Sequence, residues 1–412
     1  MTLEKYEWAV VGGGISGISI AEILCREGYS TILIEKNESL ASETSKVFHE
    51  WLHSGALYSL VPDNLLTLRY LLGATDDLFE FYGSFSRMNL APSESGVNLV
   101  NTGWFNDENI EFRYKIHKYN PIWMSLVSRS INIINLVSDH DWLRRRAGSQ
   151  DGFSKLKLNN WFNKLSDQIY CKEKFLRIDS PDITMNSRVL LSDLIETSQK
   201  NGLKISSGET VTSIIEEKND VSLQTSNKMI KAKNIVICAP DFLSKFYNLP
   251  LKFGYAPMAI VSNVPEKEKS FVELDYNTRK CINLLKKNNG VGQIGGITLS
   301  KKSQIEDYSD YLIEEHKKRN PEIKLLGTYV GIKKELVNKK QKRNYLFHIN
   351  KSSKKIWSVV LGKFSLAFSM APEFYRRVYK RNPIKNFKTI EGGENNKLIS
   401  PTSWEELAKR KK

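Results

Sequence analysis

The chain has 412 residues, 41% hydrophobic and 10% aromatic, enough for two domains with their own cores and too apolar for a disordered polymer. Its four cysteines, Cys25, Cys171, Cys238 and Cys281, lack CxxC spacing, which argues against a zinc site and a disulfide framework and suits a reducing compartment. The net charge of +15 comes from dispersed lysine and arginine, with clusters at Arg144–Arg146, Lys333-Lys334, Lys339–Arg343 and Lys409–Lys412 that interleave no aromatics. It reads as a solvated basic surface and not as a nucleic-acid platform.

At the N-terminus, Glu4, Lys5 and Glu7 precede an apolar run that meets glycines at once, unlike a signal peptide. No stretch approaches the ~20 apolar residues of a membrane span. The expectation is a cytoplasmic protein with peripheral membrane contact at most.

Residues 8–36, WAVVGGGISGISIAEILCREGYSTILIEK, predict a buried parallel strand, a glycine turn, a helix and a second strand. Gly12 permits the tight turn, Gly14 leaves room for a pyrophosphate, and Gly17 lets the helix pack closely on the strand. Ile15, Ile18, Ala21 and Ile23-Leu24 form the helix's apolar stripe, and Gly28 stands at its C-terminal cap. Glu35 ends the second strand 18 residues after Gly17, where an acid accepts hydrogen bonds from ribose hydroxyls and repels a 2′-phosphate. That leaves NAD or FAD.

Farther on, Leu65–Phe81 predicts one long helix, and residues 119–146 predict a helix after Pro121. The latter is read as packed inside a second domain, because Asp139 and Asp141 suit an anionic membrane surface poorly. Val189–Ile195 predicts a helix capped by Asn186 or Ser187 and stopped by Gly202. Residues 203–237 predict strands with turns at Asn219-Asp220 and Asn227-Lys228, ending in the buried run Ile235-Val236-Ile237. The runs YAPMAIVSNV, KSFVELD, VGQIGGITLS and NYLFHI predict an antiparallel sheet forming a cap. Beyond about Asn382 the chain reads as polar, basic and loose.

Residues 42–60, SETSKVFHEWLHSGALYSL, resemble the second FAD-contacting segment of the D-amino-acid-oxidase-type FAD-dependent oxidoreductases. LHSGALY is most similar to the stretch found in glycerol-3-phosphate dehydrogenase and L-2-hydroxyglutarate dehydrogenase. NSRVLLSDLIETSQKNG, GETVTSIIEE, IKAKNIVICAP and WSVVLGKFSLAFSMAPEF resemble further family segments in the family's order. There are two departures: Ala239-Pro240 replaces a small Ala-Gly pair, and Gly362-Lys363-Phe364-Ser365 is less glycine-rich than usual.

The resemblance implies an α/β (α+β) protein with a Rossmann-like FAD-binding domain built from segments 1–75, 186–245 and 355–381. A substrate/cap domain would comprise 76–185 and 246–354, followed by a basic tail 382–412. It implies FAD contacts from Gly12, Gly14, Ile15, Ser16, Gly17, Glu35, Lys36, Thr44, Ser45, Ser54, Gly55, Val211, Ala239, Gly362, Lys363 and Phe364.

The implied function is hydride transfer from a small hydroxy acid, polyol phosphate or amine to the flavin, with oxygen or a quinone as electron acceptor and no nucleic-acid partner. His53 is the candidate base, since histidine titrates in the useful range. Arg279, Tyr58, Tyr255 and Lys333 are candidates for the anionic end of the substrate. His49 and His53, four apart, could share a helix face, but no acidic or cysteine ligands join them in a metal pattern, so no metal is expected. A tRNA-modifying flavoprotein and a non-catalytic protein retaining the fold are the alternatives.

Overall fold

The structure is a computed structural model that describes residues 5–59, 65–93, 96–99, 103–115, 170–172, 175–247, 249–275, 277–337, 346–393 and 396–409, with scattered positions between 125 and 136. The basic clusters 144–146 and 339–343, and most of the helix expected over 119–146, lie outside the described residues.

Two large sheets organise the chain. In the first, strand β1 (Lys5–Val11) lies between β2 (Thr31–Ile34) and the strand Met229–Ile237, all parallel. Lys204–Ser206 extends the sheet beyond β2. The far edge of Met229–Ile237 is shared. Its first half pairs antiparallel with Val221–Thr225, and its second half pairs parallel with Ile356–Leu361. Near-continuous apolar runs form these central strands because both faces are buried, one under helices and the other in a second core with Val221, Leu223 and Leu243. On that face helix α1 (Ile15–Arg26) packs with Ser187–Lys200 and Ala367–Tyr379 around Trp8, Ile18, Leu194 and Phe374.

Helix α1 is buried almost all round, and its two charges are satisfied internally. Arg26 Nε donates to Glu22 Oε1 at 2.8 Å, and Arg26 Nη1 donates to the carbonyl of Phe81 at 2.7 Å. Gly28, at φ 86°, ends the helix as its spacing predicts, and Asn186 and Gly202 bound the helix Ser187–Lys200.

Among the described residues the second sheet has nine strands, nearly all antiparallel, and carries the expected runs within Leu251–Ser262, Phe271–Asp275 and Gly292–Gly296. NYLFHI does not join it. Phe347–Lys351 pairs with Ile356–Leu361 in the first sheet, where Ile349 enters the helix-side core.

The boundary at 75/76 cuts the continuous helix Leu66–Tyr82, whose Leu78, Phe81 and Tyr82 belong to the same core as α1. The tail is partly packed rather than loose. Leu40 bridges to Ile399, and the helix Ser403–Ala408 starts with a capping box of Thr402 and Glu405. Apolar Leu398, Ile399 and Leu407 break the tail's basic composition and anchor it.

Candidate active site

The carboxyl ends of β1, β2, Met229–Ile237 and Ile356–Leu361 open into a cavity of about 490 Å³, the position where open parallel sheets bind ligands. At its floor Gly12, at φ 106°, lets the chain turn from β1 into α1. A side chain there would meet the carbonyl oxygen of Cys238 at 3.0 Å. A Cβ at Gly17 would lie 1.9 Å from the carbonyl oxygen of Gly12, so helix and loop touch directly.

Glu35 is buried against this loop. Its Oε2 accepts the Gly13 N–H at 2.6 Å, while Oε1 accepts Asn37 N and Nδ2 at 2.9 and 2.8 Å. Ser45 Oγ accepts the Ile15 N–H at 3.0 Å, which leaves its hydroxyl proton to donate elsewhere. The loop keeps its backbone bare at the N-terminus of a twelve-residue helix, the arrangement that holds a pyrophosphate. These residues fit the ADP part of a dinucleotide.

At the other end of the cavity the chain is built around one carboxylate. The two-residue strand Trp51–Leu52 pairs with Thr184 and Ile183, which brings the residues after it beside Asp182. Asp182 is fully buried. Trp51 Nε1 donates to its Oδ2 at 2.8 Å, Ser54 N donates to its Oδ1 at 2.9 Å, and the Ser54 hydroxyl bonds the same oxygen. His53 stacks on Trp51 with ring centres 4.1 Å apart, and its backbone N–H donates to Ser365 Oγ at 3.0 Å.

Burial, with the charges of Lys363 and Lys333, holds the His53 imidazole well below its ordinary basicity. Burial, with Lys287, His53 and Lys333, takes His49 down to about 3. Burial pushes Asp182 up to about 6, against the hydrogen bonds of Ser54 and Trp51 and the charge of Lys363.

Gly12, Gly14, Ile15, Ser16, Glu35, Lys36, Thr44, Ser45, His53, Val211, Ala239, Gly362, Lys363, Phe364 and Lys333 all line this cavity. Gly17, Ser54, Gly55 and Tyr58 stand behind its wall. Gly55, at φ 95°, makes the turn past Leu68, and Tyr58 reaches the cavity through a hydrogen bond with Lys363. Arg279 is not part of the site. It is exposed in the turn between Phe271–Asp275 and Lys280–Lys286 at φ 56°, where hairpin geometry alone positions it. Tyr255 also lies outside the lining, half-buried on Leu251–Ser262.

His49 and His53 share no helix: His49 lies in the link 48–50 between the helix Thr44–Val47 and the strand Trp51–Leu52, and His53 follows that strand. Among the described residues no cluster of three metal-ligating side chains is present. Sequence reasoning missed Asp182, which lies more than a hundred residues from His53. The sequence marks it only weakly, as one of two aspartates in the mixed strand Phe175–Met185.

Residues 7–149 match the family model of FAD dependent oxidoreductases (DAO). No curated protein matches the chain in sequence. The fold is shared with L-alpha-glycerophosphate oxidase from Mycoplasma pneumoniae, a structure with FAD bound, at 17% identity and TM-score 0.64 over 94% of this chain and 97% of that one. It is also shared with L-amino acid deaminase from Proteus vulgaris, at 15% identity and TM-score 0.63 over 93% and 92%. A third is L-proline dehydrogenase from P. horikoshii, at 12% identity and TM-score 0.62 over 93% and 96%. Residues 7–149 thus match the FAD dependent oxidoreductase (DAO) model, which points to FAD as the cofactor, and the chain as a whole shares the fold of these solved enzymes.

Proposed function

We propose that the protein oxidises a small anionic substrate, a hydroxy acid, a polyol phosphate or an amine that carries an anionic group, with His53 as the base. Gly12, Gly14, Ile15, Ser16 and Ser45 would hold the pyrophosphate of FAD, and Glu35 its ribose. Bound FAD supplies the acceptor for the hydride that leaves the substrate carbon. His53 takes the proton from the substrate hydroxyl or amine, so a C–OH becomes a carbonyl or a C–N an imine.

The observation that carries this reading is His53 in the wall of a cavity that two lysines, Lys333 and Lys363, also line. Those cations suppress its basicity. A carboxylate or phosphate docked between them would offset their charge and raise the basicity of His53 when it is needed. The anionic group therefore serves both for affinity and for activating the base. Oxygen or a quinone would reoxidise the enzyme.

Anaerobic flavin bleaching with a panel of hydroxy acids, glycerol phosphate and amino acids tests the substrate class. His53→Gln should slow bleaching by about a hundredfold with the best substrate while FAD binding is kept. Unchanged bleaching by His53→Gln would exclude the histidine as base.

A further inference from the structure

Beside the proposed base, Asp182 has an acceptor position left unfilled. A carboxylate has about four acceptor positions. Oδ1 uses two of them, on Ser54 N and the Ser54 hydroxyl. Oδ2 uses one, on Trp51 Nε1, and is also the oxygen nearest His53, 3.6 Å from Nδ1. His53 Nδ1 is itself buried without a hydrogen-bond partner. An unfilled acceptor and an unfilled ring nitrogen thus face each other, slightly too far apart to bond.

The rest of the ring is fixed. Trp51 holds one face, Tyr58 meets it edge-on with centres 5.8 Å apart, and Ser365 Oγ ties down its backbone. His53 lines the cavity, and with Nδ1 buried, Nε2 is the ring nitrogen left for a group bound there.

We propose that Asp182 is a positioning residue for His53. A short inward movement of the ring closes the Nδ1–H···Oδ2 bond. That bond fixes the proton on Nδ1, leaves the Nε2 lone pair facing the substrate, and stabilises the imidazolium once Nε2 has taken the substrate's proton. No electrons move in this step: one proton passes from substrate oxygen or nitrogen to Nε2, and the proton on Nδ1 stays there.

The carboxylate acts against a cationic background. Lys363, Lys333 and the neighbouring His49 bear on His53 from the other elements packed around it, and Tyr58 bonds Lys363. Among these groups Asp182 alone contributes negative charge at neutral pH. The inference rests on His53 being the base, but its test reads the ring directly.

Nitrogen-15 spectra of histidine-labelled, FAD-loaded protein, with His53 assigned by its absence in His53→Gln, should show the Nδ1–H tautomer. In Asp182→Asn, which keeps the side chain's shape but lacks the second acceptor oxygen, the tautomer should become mixed or invert. The proton affinity of His53 should fall further. Flavin reduction should slow at least tenfold, with its pH profile displaced and substrate affinity within twofold. Asp182→Glu should recover part of the rate. Ser54→Ala removes a turn-holding bond but leaves the carboxylate, and should keep the tautomer. That variant separates positioning from support of the loop.

A wild-type Nε2–H tautomer would overturn the proposal, as would an Asp182→Asn protein with unchanged tautomer and pH profile. If His53→Gln reduces flavin at the normal rate while the tautomer still depends on Asp182, the base assignment fails and the positioning contact stands.

Discussion

Glu35 Oε2 receives the backbone N–H of Gly13 at 2.6 Å, so the acid at the end of the second strand also holds the loop that starts the first helix. One side chain thereby sets the loop's shape and presents a carboxylate to the ribose. The other oxygen, bound to Asn37 N and Nδ2, keeps the carboxylate oriented.

Glu35→Ala therefore removes three hydrogen bonds and leaves the Gly13 amide buried without an acceptor. Loss of about 1–3 kcal/mol for such a group predicts a rise of ten- to a hundredfold in the dissociation constant for FAD. Titration of the apoprotein by flavin fluorescence measures it. Unchanged affinity would mean that Glu35 neither shapes the loop for FAD nor meets its ribose.

Replacing Gly17 by Ala should cost far more, because the new methyl would sit on the Gly12 carbonyl oxygen, 1.9 Å away. Helix and loop would have to separate. The variant should lose FAD binding and several degrees of thermal stability, read by absorbance at the flavin band and by calorimetry.

Two buried histidines make the fold sensitive to acid. Burial, aided by Arg319, lowers His316 to about 3, and burial with Lys287 does the same for His49, from an ordinary value of 6.5. Their folded-state values are depressed, so between pH 6.5 and 3 the unfolded chain binds more protons. Stability is full above pH 6.5 and falls on acidification by about 1.4 kcal/mol per pH unit for each histidine. Asp182, raised from 3.8 to about 6, works the other way and offsets one of these slopes between those limits. Unfolding free energies from urea titrations at pH 7 and pH 5 should differ, and His316→Gln should reduce the difference by about 2 kcal/mol, the slope acting only over the part of the interval below pH 6.5. An identical slope in the variant would refute the assignment.

The C-terminal helix Ser403–Ala408 is tied to a buried ion pair. Glu50 takes Lys287 Nζ at 2.6 Å, Trp404 Nε1 at 2.7 Å and Ser187 Oγ at 2.7 Å. Although burial opposes it, Lys287 and Ser187 keep Glu50 below the usual carboxylate range. Trp404→Ala withdraws one donor from this buried carboxylate and should cost about 2 kcal/mol, checked by denaturant unfolding. Glu50 adjoins His49 in the chain, so the same variant should disturb the cavity wall.

The ADP end of the site was legible because it is local. A strand, three glycines, a helix and an acid lie within residues 8–36, and backbone geometry alone requires the glycines. The flavin-side wall was only partly legible. His53, Lys363 and Lys333 line the cavity as their motifs suggest, while Asp182 comes from a distant strand that only sheet pairing brings near. Arg279 was named for its chemistry with nothing local to place it, and the fold puts it on a hairpin tip. The tail failed as a compositional reading because a few apolar residues, Leu398, Ile399 and Leu407, outweighed many lysines. Phe347–Lys351 reads as a strand in either sheet, and its partner Ile356–Leu361 decided which.

The most direct test is the flavin content of the purified chain after incubation with FAD and gel filtration. The account predicts about one FAD per chain, lost in Gly17→Ala and bleached under anaerobic conditions by an anionic hydroxy acid, polyol phosphate or amine. A folded protein that stays colourless at saturating FAD would contradict it.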